Sequence, residues 1–419
     1  MLRAERRRRG DLAAAMAIVA VLAVLACLIA FYSQAARTTS TTAPGPAPAA
    51  PDPPVDAPAT VTEAWRAPSA ATVAPVVVGP TLVTGDGPDT VGRDPVTGVQ
   101  RWAYRRDLQL CVVGSGWGLA LAVYRNGAYC SEVTALQAGS GERGPTRTAD
   151  APDDAQLLDD GWMVTATGRN HLESWRSDLV ETLEYGEVRS PAQPKTQPRA
   201  HCSHASVAIS YARLGVLERC PGERGDRLTT FRQKDTEAEH PDEEASTPLS
   251  VAGTRLVALS KHRTAVLFPG TAGGAAKLSV RDEDGREVAG YPLDLPPADL
   301  AGDPPGGVTP TVTAHGIVLW WTGSRTIALS ETELRPLWTL PGALGPGALL
   351  PLLAPADPAG PTERLLIPVP GGLAVTDPAT GQVIRTIPVD RGGYQGPVLL
   401  GALGPMIFEQ RGPELVALR

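Results

Sequence analysis

The chain has 419 residues, and 42% of them are hydrophobic, enough for a substantial core, so wholesale disorder is excluded. Its 44 Gly and 41 Pro exclude a helical bundle or a coiled coil. A formal net charge of -7, from 38 basic and 45 acidic residues, excludes a bulk nucleic-acid footprint.

Residues 1–11 form a basic tail, with Arg3, Arg6, Arg7, Arg8 and Arg9 set against Glu5 and Asp11. Leu12 to Tyr32 then run 21 residues without a charge. At about 1.5 Å per residue that run spans roughly 30 Å, the thickness of a hydrocarbon core. Residues 12–32 are therefore expected to be a transmembrane signal-anchor helix. The arginines before it place the N-terminus in the cytoplasm and the rest of the chain outside. Two other readings use the same segment: cleavage near Ser33-Gln34-Ala35, and lipidation at Cys27 behind Val24-Leu25-Ala26. The run is long for a cleaved peptide. Leu25 is large for a lipidation signal, and Leu28 to Tyr32 continue the apolar run past the cysteine. The retained anchor is the favoured reading.

Residues 33–59 are rich in Pro, Ala and Thr and cannot bury a core, so they are expected to be an extended linker lifting the next domain off the membrane. Residues 60–419 show short runs of Val, Leu, Ile and Thr punctuated by Gly, Pro and Asp. Leu82-Val83-Thr84, Gly161 to Thr165, Gly316 to Trp320 and Leu365-Leu366-Ile367 read as strands. No long helical period appears beyond the anchor. The outer domain is expected to be all-β.

A repeat runs through it. Asp94-Pro95-Val96-Thr97-Gly98 recurs as Asp377-Pro378-Ala379-Thr380-Gly381, with degenerate copies at Gln137 to Gly141 and at Asp282-Glu283-Asp284-Gly285. Further turn positions fall near Arg176, Arg232 and Ser330, and at the terminal Arg419. The period of about 40–55 residues, with four short strands each, is that of a propeller blade. In this reading Asp and Pro start a tight turn, Thr bonds back, and Gly takes the positive φ that leads into the next strand. Trp102, four residues past Gly98, is placed between neighbouring blades, and Trp338 holds the equivalent position. The last repeat stops at Arg419 without its outer strand. Thr62-Glu63-Ala64-Trp65-Arg66 is expected to supply it, with Trp65 closing the ring.

Strand, Asp-Pro-x-Thr-Gly turn and trailing Trp resemble the repeats of PQQ-binding-like, quinoprotein alcohol-dehydrogenase-like β-propellers. The resemblance is strongest over residues 82–102 and 365–388. It implies an eight-bladed ring, with seven blades as the alternative. It does not imply the quinone, because cofactor-using members pair it with adjacent cysteines, a Trp floor and acidic calcium ligands. This chain has no Cys-Cys pair, and no residue here takes the other roles. Related propellers include lipoproteins that scaffold envelope assembly. Lys occurs only at Lys195, Lys234, Lys261 and Lys277, and this preference for Arg suggests a high-GC, actinobacterial type of sequence.

Outside the anchor the cysteines are Cys111, Cys130, Cys202 and Cys220. An even set outside the cytoplasm is normally bonded. Of three pairings, Cys111–Cys130 and Cys202–Cys220 are favoured, each closing a loop within one predicted blade and stabilising by about 3 kcal/mol. His201-Cys202-Ser203-His204 has zinc-like spacing, but the two histidines point oppositely in a strand, so a disulfide beside surface histidines is the preferred reading. Asp282 to Gly285 lacks the distal acid of a calcium loop and reads as a repeat turn. Gly114-Ser115-Gly116-Trp117-Gly118 has no following Lys or helix, so its glycines read as close strand approaches. Thr236 to Glu244 is expected to be an acidic, solvated loop between two blades.

The expectation is a non-enzymatic, extracytoplasmic binding or scaffold protein of the bacterial envelope, with no cofactor, no metal and no catalytic residue assigned. Its partners would be envelope or membrane proteins, with no nucleic acid, and it would touch the membrane through residues 12–32. The alternative is an envelope enzyme, an oxidoreductase or a hydrolase, working in the propeller funnel.

Overall fold

The computed structural model describes residues 9–419 except 189–196, 234–237, 271–273, 315 and 354–361. The N-terminal helix, Arg9–Tyr32, is apolar, has no buried residue and is long enough to cross a membrane. The chain beyond it forms an eight-bladed β-propeller of antiparallel sheets. Blades 1 to 7 cover residues 76–105, 110–148, 157–186, 203–248, 255–293, 311–341 and 348–388. Blade 8 takes 398–418 and borrows its outer strand from 63–68.

Burial follows from where each strand sits in its blade. Leu119–Asn126, a second strand, is an apolar run buried almost throughout because blades cover both of its faces. Pro336–Pro341, an outer strand, alternates between half-buried and exposed. The core is divided accordingly. Among the described residues, eight apolar clusters each straddle one junction between neighbouring blades. Stability is therefore shared around the ring, and it depends on closure.

Closure comes from Glu63–Pro68 lying antiparallel to Glu414–Leu418, with Trp65 opposite Ala417 and Ala67 opposite Leu415. Thr62 and Arg419 exchange both backbone hydrogen bonds, at 2.8 and 2.9 Å. The turns use the repeat residues in one way. Asp94 Oδ1 accepts the Val96 and Thr97 N–H groups at 3.1 and 2.8 Å and the Thr97 hydroxyl at 2.9 Å. Asp377 repeats this with Ala379 and Thr380. The threonine thus donates to the aspartate, and its Oγ1 accepts the N–H two residues on. Gly98, Gly141, Gly285 and Gly381 close these turns at φ of 72°, 74°, 75° and 72°.

Several expectations are corrected. The segment expected to be a free spacer is docked on the ring. Thr39–Thr41 adds a fifth strand to blade 1, against Gln100–Arg105. The chain then crosses the face bearing the turns between first and second strands. There Ala43 N donates to Ser140 O at 2.9 Å and Arg101 holds the carbonyls of Gly45 and Pro46. Farther on, Leu353 N donates to Pro54 O at 2.8 Å and Arg385 binds Pro58 O at 2.6 Å. Prolines leave the backbone carbonyls free, and arginines on blades 1 and 7 take them up. Gly161 to Thr165 is not one strand; Asp160 Oδ1 holds a turn through Met163 N, and the strand starts at Val164. The acidic run lies within blade 4, not between blades, and part of it falls outside the described residues. Glu243 and Glu244 sit on that blade's outer strand, paired with Arg199, Arg213 and Arg232.

Candidate functional site

Each of the four cysteines outside the anchor is bonded locally: Cys111 to Cys130 across blade 2, and Cys202 to Cys220 across blade 4. Glu218 lies beside the second bridge in a spacing that a metal could use, but both thiols there are spent in the disulfide. His201 is exposed and precedes the strand Ser203–Ser210. His204 is buried, which corrects the surface assignment. Its Nδ1 lies 2.9 Å from Gly168 O and its ring stacks on Tyr185. Burial pulls its pKa down to about 4, so it is neutral at pH 7. Asp94, Gly98, Gly141, Asp282, Gly285, Asp377 and Gly381 occupy turns at the junctions between blades, and Trp65 occupies the closing strand.

The propeller axis holds an apolar cavity of about 670 Å³. Innermost strands line it, with Val77, Val112, Leu157, Leu399 and Ala402 in the wall. Asp159 supplies a carboxyl there, raised above the usual range by burial although Gly161 N bonds to it. The face carrying the connections between blades is partly covered by the segment joining blades 5 and 6. Arg255 holds that segment through the carbonyls of Asp299, Ala301 and Gly302, at 2.6, 2.9 and 3.0 Å. Arg219 forks onto Asp303 at 2.7 and 2.6 Å. Val308 then pairs as a parallel bridge with Val207 on the inner wall of blade 4.

The opposite face, which carries the turns between first and second strands, presents aromatic side chains. Trp117, Trp162 and Tyr211 lie on these turns in blades 2, 3 and 4. Trp162 is 62% exposed and Tyr211 52% exposed. The turns are stitched together. Trp117 Nε1 donates to Trp162 O at 3.0 Å, and Asp160 accepts from Trp162 N at 2.9 Å and from Ala212 N at 2.8 Å. The Tyr211 hydroxyl donates to Glu331, which also accepts Gly316 N at 3.0 Å. Trp117, Tyr211 and Ala212 have φ of 54°, 51° and 58°. Holding such residues in the left-handed region costs about 1–2 kcal/mol each. Gly or Asn would avoid most of that cost. At Tyr211 the fold thus spends stability to present a large aromatic group on this face.

A second polar cluster lies away from the axis, on the third and outer strands of blade 3. Burial pushes Glu173 up to about 7 and Glu184 up to about 8, with Glu181 adding repulsion to both. Arg147 pairs with Glu173 at 3.6 Å and also with Glu181. Nearby, Tyr185 and Thr229 donate to Glu218, each at 2.5 Å. The Arg147 cluster belongs to the junction of blades 2 and 3 and the Glu218 cluster to that of blades 3 and 4, whereas the innermost strands line the funnel.

Sequence reading missed the aromatic face because Trp162 was assigned to a strand. The available signal was Asp159-Asp160-Gly161 before it, which reads as an Asx turn.

No protein-family model matches the chain, and no curated protein is similar to it in sequence. Among solved structures it is similar to BamB from Moraxella catarrhalis, at 13% identity over 86% of this chain and 100% of that one, with a TM-score of 0.47. It is also similar to the Pan2 WD40 domain of Neurospora crassa, at 9% identity over 74% of this chain and 89% of that one, TM-score 0.42. A chain of a mitotic checkpoint complex matches at 9% identity over 72% and 87%, TM-score 0.41. The eight sheets establish the propeller by themselves.

Proposed function

We propose that this chain is a non-enzymatic scaffold of the bacterial cell envelope, of the PQQ-binding-like repeat type and of actinobacterial origin. A single N-terminal span anchors it, with residues 1–11 in the cytoplasm and the propeller outside. It holds partner proteins on the propeller face that bears Trp117, Trp162 and Tyr211.

One observation carries this reading: Tyr211 is kept exposed on a turn whose backbone disfavours it, beside the exposed Trp162. Tyr and Trp are enriched where protein interfaces concentrate their binding energy, and exposed apolar patches mark interaction sites. The basic tail before the apolar helix supports the orientation. Two disulfides in the propeller support an oxidising compartment.

The test is crosslinking in intact cells with the full-length protein, identification of adducts by mass spectrometry, and an absorbance scan of the purified protein. A reproducible set of envelope proteins, attached through the aromatic face, supports the scaffold. A bound chromophore without protein adducts overturns it in favour of an enzyme.

A further inference from the structure

The distance between membrane and propeller follows from how soon the chain docks after its apolar helix. Only Ser33 separates Tyr32, the last residue of that helix, from a residue in contact with the ring. Arg106 Nη2 donates to Gln34 Oε1 at 2.6 Å, and Arg37 pairs with Asp107 at 3.2 Å. The helix does not fray into a spacer between them. Ser33 Oγ donates back to Ala30 O at 3.1 Å, and Gln34–Arg37 continues as a 3-10 turn. Thr38 Oγ1 donates to Gln34 O at 2.9 Å, and the edge strand on blade 1 starts at Thr39.

The magnitudes decide the geometry. At about 2 Å of rise per residue, Tyr32 to Arg37 covers about 10 Å. The headgroup layer on one side of a bilayer is roughly 5–8 Å thick. With Tyr32 at the edge of the hydrocarbon, the 106–109 loop cannot stand clear of the headgroups. A hollow of about 520 Å³ opens at this corner, lined by Arg37, Arg105, Arg106, Asp107 and Gln109 among others. The Arg37–Asp107 and Arg105–Asp89 pairs are largely exposed. Such pairs hold their partners weakly and can exchange them for a phosphate or an amine.

We propose that this corner of blade 1, residues 106–109 with Arg37 and Arg105, rests on the phospholipid headgroup surface, so that the ring is held flush against the membrane. The inference rests on reading Arg9–Tyr32 as a membrane span. It adds a lipid contact outside the span, and it gives the docked proline-rich segment a consequence: none of that length is available as a stalk.

The test uses full-length protein in liposomes of phosphatidylethanolamine and phosphatidylglycerol doped with a nitroxide-headgroup lipid. In a Cys27→Ala background, a bimane label is placed at Gln109→Cys or at Val99→Cys, an exposed position on the opposite face of blade 1. Quenching several-fold stronger at 109 than at 99 is expected, and a long Gly-Ser insert after Tyr32 should abolish the difference. Equal quenching at the two positions, in protein that resists carbonate extraction, would overturn the lipid contact while leaving the span intact. Release of the protein by carbonate would overturn the span, and the contact with it.

Discussion

The indole Nε1 of Trp65 donates to the carbonyl oxygen of Pro95 at 3.1 Å, joining the last blade of the ring to the first. The relation repeats. Trp102 Nε1 reaches Ala138 O at 2.7 Å, and Trp338 Nε1 reaches Pro378 O at 2.9 Å. Each indole also covers the turn glycine of the next blade: Trp65 over Gly98, Trp102 over Gly141, Trp338 over Gly381. A Cβ at Gly98 would lie 2.6 Å from the Trp65 ring. Glycine is thus required twice at these turns, for its positive φ and for the close approach of the ring. Where blade 4 meets blade 5, Thr247 takes the indole's place over Gly285.

Trp102 is fully buried, so Trp102→Ala should cost about 3–5 kcal/mol. Trp102→Phe keeps most of the packing but leaves Ala138 O without its donor, for a smaller loss of about 1–3 kcal/mol. Denaturant unfolding of the three proteins checks the order. Equal stability of the Phe variant and the parent would refute the role given to the N–H.

Ring closure makes the second prediction. Deleting residues 60–70 exposes two sheet edges and should lower the melting temperature of the whole domain. Deleting 39–58 removes the edge strand on blade 1 and the bonds to Leu353 and Arg385. That loss should be clear but smaller, because the blades stay closed. A calorimetric scan with an unchanged midpoint after the first deletion would contradict a closing strand.

Each disulfide closes a loop of similar length, with separations of 19 and 18 residues. Replacing either pair by serine should cost about 3 kcal/mol on the chain-entropy model. Non-reducing peptide mapping should find the pairs 111–130 and 202–220, and any crossed pair would contradict the fold.

Glu184 gives a pH prediction. Burial, and then repulsion from Glu181, Glu173, Glu239 and Asp150, raise its folded pKa to about 8 from an ordinary 4.5. The folded chain therefore holds a proton that the unfolded chain releases between pH 4.5 and 8. Stability falls as pH rises through that window and levels off above it. Glu184→Gln should raise the melting temperature at pH 8 by about 1–3 °C relative to the parent, with little change at pH 4. His204, held low, acts in the opposite direction below pH 6.5. The comparison is therefore between variant and parent at each pH.

The legibility of this chain divides along physical lines. Strand runs, turn aspartates and trailing tryptophans are local, so the blade repeat could be read from Asp94 to Trp102 and again from Asp377. Closure by Trp65 was readable because Thr62 to Arg66 parallels Val99 to Trp102. The docking of residues 39–58 was not readable, since a proline-rich segment has the same composition free or bound. Its partners, Arg101, Leu353 and Arg385, lie up to hundreds of residues away. The segment joining blades 5 and 6 was hidden for a similar reason: its anchors, Arg219 and Arg255, are on blades 4 and 5. His204 was misplaced because its burial comes from Tyr185 on another blade.

The central claim, that partners dock on the aromatic face, is tested most directly by site-specific photocrosslinking of the full-length protein in intact cells. The crosslinker is placed in turn at Trp162, at Tyr211 and at Val288, the last being an exposed position on the outer strand of blade 5. The account predicts discrete protein adducts at 162 and 211 and none at 288, with the adducts at 211 lost when Trp162→Ala is added and the melting temperature unchanged. Adducts of equal yield at all three positions, or none at the aromatic ones, would contradict it.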